Sequence, residues 1–280
     1  MHGQVELPEV ETVRRDLDRE VGGKKIKSVE ATGMKALSRY KNRKAFTSQL
    51  EGRKVGSLAR RGVHLVLDIG EGELLVTVLG TGRFRRHGAR DPLEPDTQVV
   101  ITFTQGGQLR FVDRGGEGDM FIIPKEELAA ALPELTTLGL DPVEQPISWT
   151  LFGQRLLSRG NEKLKLLLTD PTFIVGLGDV YSDEILHDAL LRGDREPSTL
   201  STQEIRRLYR SIVETMHNAI KYRGTSTEAN GWVDVHGEVG GYGEFLEVYG
   251  RDGQRSHNGR GEVHKSKIAG HDHYHADYQV

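Results

Sequence analysis

The chain has 280 residues, which suits two domains and an appendage better than one ordinary core. With 36% apolar and 28% charged residues it reads as a soluble globular protein, and no apolar run approaches the roughly 20 residues that span a bilayer. The absence of cysteine excludes disulfides, thiol nucleophiles and thiolate metal sites, and the net charge of −3 argues against tight nucleic-acid binding unless basic residues cluster locally.

The first residues, 1–11, are polar and acidic and unlike a signal peptide, so a cytoplasmic location is the expectation. Residues 8–21 read as a helix: Val10, Val13, Leu17 and Val21 recur at helical spacing, Pro8 stands near the start, and Glu9 and Glu11 suit the first turn. Gly22-Gly23 ends it. Strand-like segments follow at 25–31, 54–59, 64–69, 73–79, 97–104 and 108–112, most of them bounded by Gly, Asp or Pro. The Gln105-Gly106-Gly107 turn between the last two is a hairpin signal, and six short strands at this spacing suggest a sandwich or a barrel.

Composition changes near residue 125. Residues 125–132 read as a short helix, 133–146 as a linker with three prolines, and 149–157 and 163–168 as helices. The clearest helix is 201–221. Ser201 and Glu204 form a capping box, and Ile205, Leu208, Ile212, Met216 and Ile220 make an apolar stripe. Residues 224–243 hold six glycines and read as a long loop. Residues 245–249 read as a strand, and the tail is polar and rich in histidine.

Three strings stand out: Glu6-Leu7-Pro8-Glu9-Val10-Glu11-Thr12-Val13, Gly176-Leu177-Gly178-Asp179-Val180-Tyr181-Ser182-Asp183-Glu184, and Val248-Tyr249-Gly250-Arg251-Asp252-Gly253. In this order and spacing the chain resembles the formamidopyrimidine-DNA glycosylase (Fpg/Nei) family in its actinobacterial style, over almost its whole length. The resemblance implies an α+β fold. An N-terminal β-sandwich with its N-terminal helix (1–130) leads through a linker (131–148) to a helix-two-turns-helix domain (149–224). A glycine-rich loop and a β-hairpin finger (225–280) follow. It also implies a monomer, a partner of duplex DNA, probed for damage by flipping a base out of the stack, and no membrane contact.

The family's chemistry is only partly present. Its nucleophile is a terminal proline, whose place is taken here by Val5, a residue inside the chain with only an amide nitrogen. Glu6 keeps the position of the general acid at the sugar, and Glu9 a second acidic position; both also suit a helix N-terminus. An assisting lysine corresponds to Val63 in Arg60-Arg61-Gly62-Val63-His64, where Arg60 and Arg61 either touch phosphate or form a solvated strand end. The methionine, arginine and phenylalanine that fill the void of a flipped base correspond to Gly80, Gly115 and Glu117, with Arg114 one residue away as a substitute.

In the second string Asp179 stands where the family has a phosphate-binding asparagine. An ionised aspartate cannot donate. Gly176 and Gly178 still let backbone amides approach phosphate, and Lys163 and Lys165 match basic positions of the preceding helix. Tyr249 of the third string completes the DNA-facing set. The four zinc cysteines correspond to Ser256, Gly259, His275 and Tyr278, and the arginine of the finger turn to Gly270 or His271, so a zinc-less finger and no cofactor are expected. His257, His264, His271, His273 and His275 form either an unrelated metal site or a solvated polar hairpin, with the last three on one face if the tail is a strand.

Three functions remain open on these residues. One is a diverged glycosylase that hydrolyses the glycosidic bond through Glu6 and water, without strand cleavage. Another is a non-catalytic DNA-binding or regulatory relative. The third is a cleft repurposed for a small ligand or a protein partner.

Overall fold

Leu7–Val21 (α1) opens the fold in a computed structural model that describes residues 5–228, 230–257 and 259–280. Its apolar stripe, Val10, Val13, Leu17 and Val21, is buried against eight strands. One sheet has the order β1-β6-β7-β5, formed by Ile26–Ala31 (β1), Arg83–His87 (β5), Thr97–Phe103 (β6) and Gln108–Val112 (β7). The other runs β2-β3-β4-β8, from Leu58–Arg61 (β2), His64–Asp68 (β3), Glu73–Val78 (β4) and Asp119–Pro124 (β8). All pairings are antiparallel. The two-residue period of β3 sends Leu65 and Leu67 into the core shared with α1, while Val66 joins Val76, Phe121 and Leu132 on the opposite face. This is the β-sandwich expected, and the glycine turn between β6 and β7 has both Gly106 and Gly107 in the left-handed region.

The chain divides into two units. The first comprises the residues through Thr136 together with Arg223–Gly241. The returning segment belongs there because Trp232, 1% exposed, and Val235 enter the same core as α1. Sequence reading grouped 225–280 together as a loop and finger. The structure instead separates 223–241 from the finger, since an indole buried in the sandwich outweighs the flexibility that six glycines suggest.

The second unit, Thr137–Tyr222 and Tyr242–Val280, holds the remaining α-helices. After Arg43–Leu50 (α2) and the short Leu128–Ala131 (α3) of the first unit come Trp149–Ser158 (α4), Leu164–Leu168 (α5), Asp179–Asp188 (α6) and Thr202–Lys221 (α7). The capping box of Ser201 and Glu204 starts α7 and Ile205, Leu208, Ile212 and Met216 are buried, as the stripe predicts. Phe152 of α4 packs between Phe173 and Tyr209, with ring centroids 5.9 and 5.8 Å away. Val263–Ile268 (β9) and His271–Ala276 (β10) form the C-terminal hairpin.

The strand predicted at 245–249 is absent: a 3-10 turn covers Tyr242–Phe245, and the backbone N–H groups of Glu247, Val248 and Tyr249 all donate to the Glu184 carboxylate. A side chain has taken the place of a neighbouring strand. The strand predicted at 54–59 begins only at Leu58, because Lys54 makes a single bridge to Lys25.

Candidate nucleic-acid interface

At the start of α1, Glu6 is the N-cap residue and closes a capping box with Glu9. Glu9 is 1% exposed. Its carboxylate accepts the Glu6 N–H at 3.0 Å and the Thr225 N–H at 2.7 Å. A carboxylate so buried needs donors in the place of water. Gly224, with φ of 79°, permits this approach, since a Cβ there would lie 2.7 Å from Glu9 Oε1. Glu9, expected to act on substrate, therefore braces Glu6 and the returning segment. Glu6 itself is half-buried.

Glu11 is buried beside Arg60. Burial pulls the Glu11 pKa upward, but hydrogen bonds from Arg14 and Arg15 and the charge of Arg60 outweigh it and leave the carboxyl below its ordinary value. Arg60 is only 4% exposed and donates to Glu11 at 3.3 Å and to the Gly62 carbonyl at 2.7 Å. The expectation that Arg60 touches phosphate is corrected: its guanidinium is used inside the sandwich, and Arg61 is the exposed member of the pair. Val63 packs against the sandwich core.

The turns at 79–82 and 113–118 are fastened to each other. Asp113, fully buried, accepts the Thr81 hydroxyl at 2.7 Å and the N–H groups of Gly116 and Gly118 at 2.9 and 2.8 Å. Gly80 has φ of 54°, and a Cβ there would lie 2.6 Å from the Glu117 carbonyl oxygen. A Cβ at Gly115 would lie 2.3 Å from Thr81 Oγ1. These glycines fit close approaches, of Gly80 to the Glu117 backbone and of Gly115 to the Thr81 side chain, rather than being gaps. Arg114 and Glu117 are left exposed at the tips. Arg83, not singled out in the sequence, donates to the carbonyls of Thr81 and Gly82 at 2.9 Å and to that of Asn230. Burial lowers its pKa, against the pull of Asp113 and Glu9.

In the second unit, Lys163 is exposed at the N-cap of α5, and Gly178 is the N-cap of α6. Lys165 is 0% exposed. Its ammonium lies 2.8 Å from Asp183, 2.9 Å from Ser182 Oγ and 3.3 Å from the Asp179 carboxylate. The expectation that Lys165 contacts phosphate is corrected, because all of its hydrogen-bonding capacity is spent inside. The same geometry gives Asp179 a partner, so its charge is balanced where asparagine would be neutral. Asp183 also binds His273 Nδ1 at 2.7 Å and the Tyr274 N–H at 2.9 Å. Burial raises Glu184 to about 7, despite the three N–H groups it accepts. Tyr249 is fixed through that carboxylate and packs its ring 5.1 Å from Tyr274. Asp183, Glu184 and His273 were missed as organising residues. Their signal was the adjacent acid pair set between the apolar pairs Val180-Tyr181 and Ile185-Leu186 in the middle of the helix.

Residues 5–120 match the formamidopyrimidine-DNA glycosylase N-terminal domain and residues 138–230 the formamidopyrimidine-DNA glycosylase H2TH domain. The chain belongs to the formamidopyrimidine-DNA glycosylase family. It is 36% identical over 270 residues to the formamidopyrimidine-DNA glycosylase of Pelotomaculum thermopropionicum, covering 96% of each chain. It is 34% identical over 249 residues to that of Bacillus cereus, covering 89% of each. Its fold superposes with a TM-score of 0.85 on the Lactococcus lactis Fpg solved in complex with DNA containing an abasic site, at 30% identity over 97% of both chains. A Lactococcus lactis complex with DNA containing an oxidized pyrimidine gives a TM-score of 0.84 at 29% identity.

The zinc that the family resemblance implies does not fit the finger of this family member. Of the four positions, Gly259 has no donor, Ser256 is a hydroxyl, and Tyr278 shares a 2.5 Å hydrogen bond with His187. His275 alone is a ligand type, buried with its Nδ1 unpartnered and stacked on His273 at 5.1 Å. His271, His273 and His275 lie in β10 as alternate residues, but among the described residues no group of three or more His, Cys, Asp or Glu is placed to hold a metal ion. Protein contacts anchor the hairpin instead. Gln279 accepts the Ala276 N–H and donates to the Leu191 carbonyl, both at 2.7 Å. Among the described residues no helix is long and apolar enough to cross a membrane.

Proposed function

We propose that this chain is a diverged, actinobacterial-type Fpg protein with a zinc-less finger that binds duplex or damaged DNA as a monomer and hydrolyses the N-glycosidic bond without Schiff-base or lyase chemistry. In this reading residues 1–130 are the glycosylase-like domain, 131–148 the linker and 149–224 the helix-two-turns-helix domain, acting on DNA in the cytoplasm. The observation that carries it is Val5 followed by Glu6. The residue at the nucleophile position has only an amide nitrogen, while the adjacent carboxylate is held at the N-cap of α1 by its capping box with Glu9. As the glycosidic bond breaks, positive charge grows on the sugar. A carboxylate there stabilises that charge or takes a proton from attacking water.

Arg61, Arg114 and Lys163 are exposed cations for the phosphates, with the backbone at Gly178 as a neutral contact. Borohydride trapping combined with a glycosylase assay over a lesion panel tests the proposal. The expected result is base release with no covalent adduct on abasic-site or 8-oxoguanine duplexes. An adduct mapped to the N-terminus or to a lysine overturns it.

A second reading, a non-catalytic DNA-binding relative, is favoured by the fastened turns at Gly80 and Gly115, which offer no side chain to hold a flipped-out conformation. Duplex binding with a steep salt dependence and no turnover on any lesion would establish it. The absence of such a salt dependence would favour a cleft used for a small ligand or a protein partner.

A further inference from the structure

We infer that the cavity of the second unit beside α6 and α7 is a binding site for an organic cation, an alkylammonium or guanidinium group carried on an apolar body. The cavity measures about 350 Å³. That is room for several waters, or for a guanidinium with its alkyl arm, and it falls within the usual range of ligand pockets. Glu184, Asp188, Glu214 and Glu247 line it, and among the described residues no lysine or arginine does. Burial raises Glu184 to about 7, so the acidity of the lining rests on Asp188, Glu214 and Glu247, and the contact of Glu247 with His257, 3.3 Å between exposed side chains, contributes little. The nearest ion pair of Glu214, with Arg210, spans 3.9 Å between side chains more than half exposed, which contributes little. Asp188 accepts the hydroxyl of Ser211, a donor that brings no positive charge.

The lining is also aromatic. Tyr242 and Phe245 line the cavity and belong to a ladder of rings: Tyr181 lies 5.8 Å from Tyr242, Tyr242 6.0 Å from Phe245, and Phe245 4.3 Å from Tyr222. The ladder runs from the fully buried Tyr181 outward to Phe245, which is 44% exposed. Burial, then the fields of Glu184 and Asp188, push the Tyr242 hydroxyl well above its ordinary pKa, so this ring stays neutral. Aromatic rings and carboxylates lining one cavity together attract a weakly hydrated organic cation. The same lining repels phosphate, so it is no part of a DNA interface. A hard metal ion is also poorly served, because both Glu184 oxygens already accept backbone N–H groups.

The inference holds whether or not the chain hydrolyses DNA. Its test is calorimetric titration of the whole protein at constant ionic strength with spermidine, with N-acetylarginine amide and with magnesium chloride. Saturable binding of an organic cation near or below about 1 mM is expected, with magnesium failing to compete. The Glu214→Gln/Glu247→Gln pair, and separately Phe245→Ala, should each weaken it about tenfold with unchanged circular dichroism. Binding of spermidine alone identifies a free polyamine as the source, whereas binding of the arginine amide alone identifies a basic side chain of a partner protein. Equal competition by magnesium, wild-type affinity in both variants, or no binding of either organic probe overturns the inference.

Discussion

Replacing Lys165 with methionine separates a buried structural cation from a DNA contact. The substitution keeps the length of the side chain and removes its charge. It leaves Asp183, 0% exposed, without its ammonium partner, with His273 Nδ1 and the Tyr274 N–H as its remaining hydrogen-bond partners. Breaking a buried ion pair from one side costs about 3–5 kcal/mol. At about 2–4 °C per kcal/mol for a unit of this size, the melting temperature should fall by about 6–20 °C. Lys163→Met, two residues away and exposed, should change stability by no more than about 0.5 kcal/mol. It should instead lower the salt slope of duplex binding by about 0.9, the share of the one phosphate that the lysine no longer neutralises. Urea unfolding and fluorescence anisotropy at several salt concentrations measure both quantities. If Lys165→Met kept its stability within about 1 kcal/mol and reduced the salt slope by one phosphate, the ammonium would be reaching DNA, and the reasoning from burial would fail.

Three further outcomes follow from the same geometry. Glu6→Gln should reduce any base release by about 10²–10⁴-fold while leaving duplex affinity within about twofold, measured by single-turnover assay and anisotropy; full activity would move the active centre elsewhere. Gly80→Met forces a side chain into left-handed backbone and onto the Glu117 carbonyl, so it should lose at least about 1–2 kcal/mol in urea unfolding, and wild-type stability would mean the turns are loosely packed. Glu184 is raised to about 7 in the folded protein from 4.5, so the folded state holds its proton through that interval after the unfolded chain has released it. Its contribution is therefore present at low pH and lost as pH rises toward 7, by about 3 kcal/mol relative to Glu184→Gln. A difference that instead grows with pH would show that the three backbone N–H groups prevail.

The elements legible in the sequence were those whose signals are local. Ser201 with Glu204 and the stripe behind them fixed α7, and the paired glycines at 106 and 107 fixed the β6–β7 turn. β5 escaped because four of its five residues, Arg83, Arg85, Arg86 and His87, carry polar heads, leaving Phe84 alone to show an apolar period. Their satisfaction is non-local: Arg86 donates to the Gln108 and Gly106 carbonyls and to Glu20. The site was readable as a set of positions but not as a set of exposures. Arg60 and Lys165 looked like surface cations because long basic side chains usually are. Only the fold shows that Glu11 and Asp183 wait for them inside.

The Trp232 indole has a consequence for the order in which the protein is made. The first unit has all eight of its described strands once Pro124 has emerged, yet its core is completed by a residue more than a hundred positions later. At a synthesis rate of about 5–20 residues per second, the nascent sandwich waits about 5–20 s for that ring. During the wait the place for Trp232 and Val235 is open, and the apolar side chains around it are available to other chains. Strand pairing and α1 can form early, but cooperative closure must come after the second unit's helices have been synthesised. A ribosome stalled within α7 would therefore carry an unfinished sandwich, one recognisable by protease sensitivity that disappears when a peptide spanning the returning segment is supplied in trans.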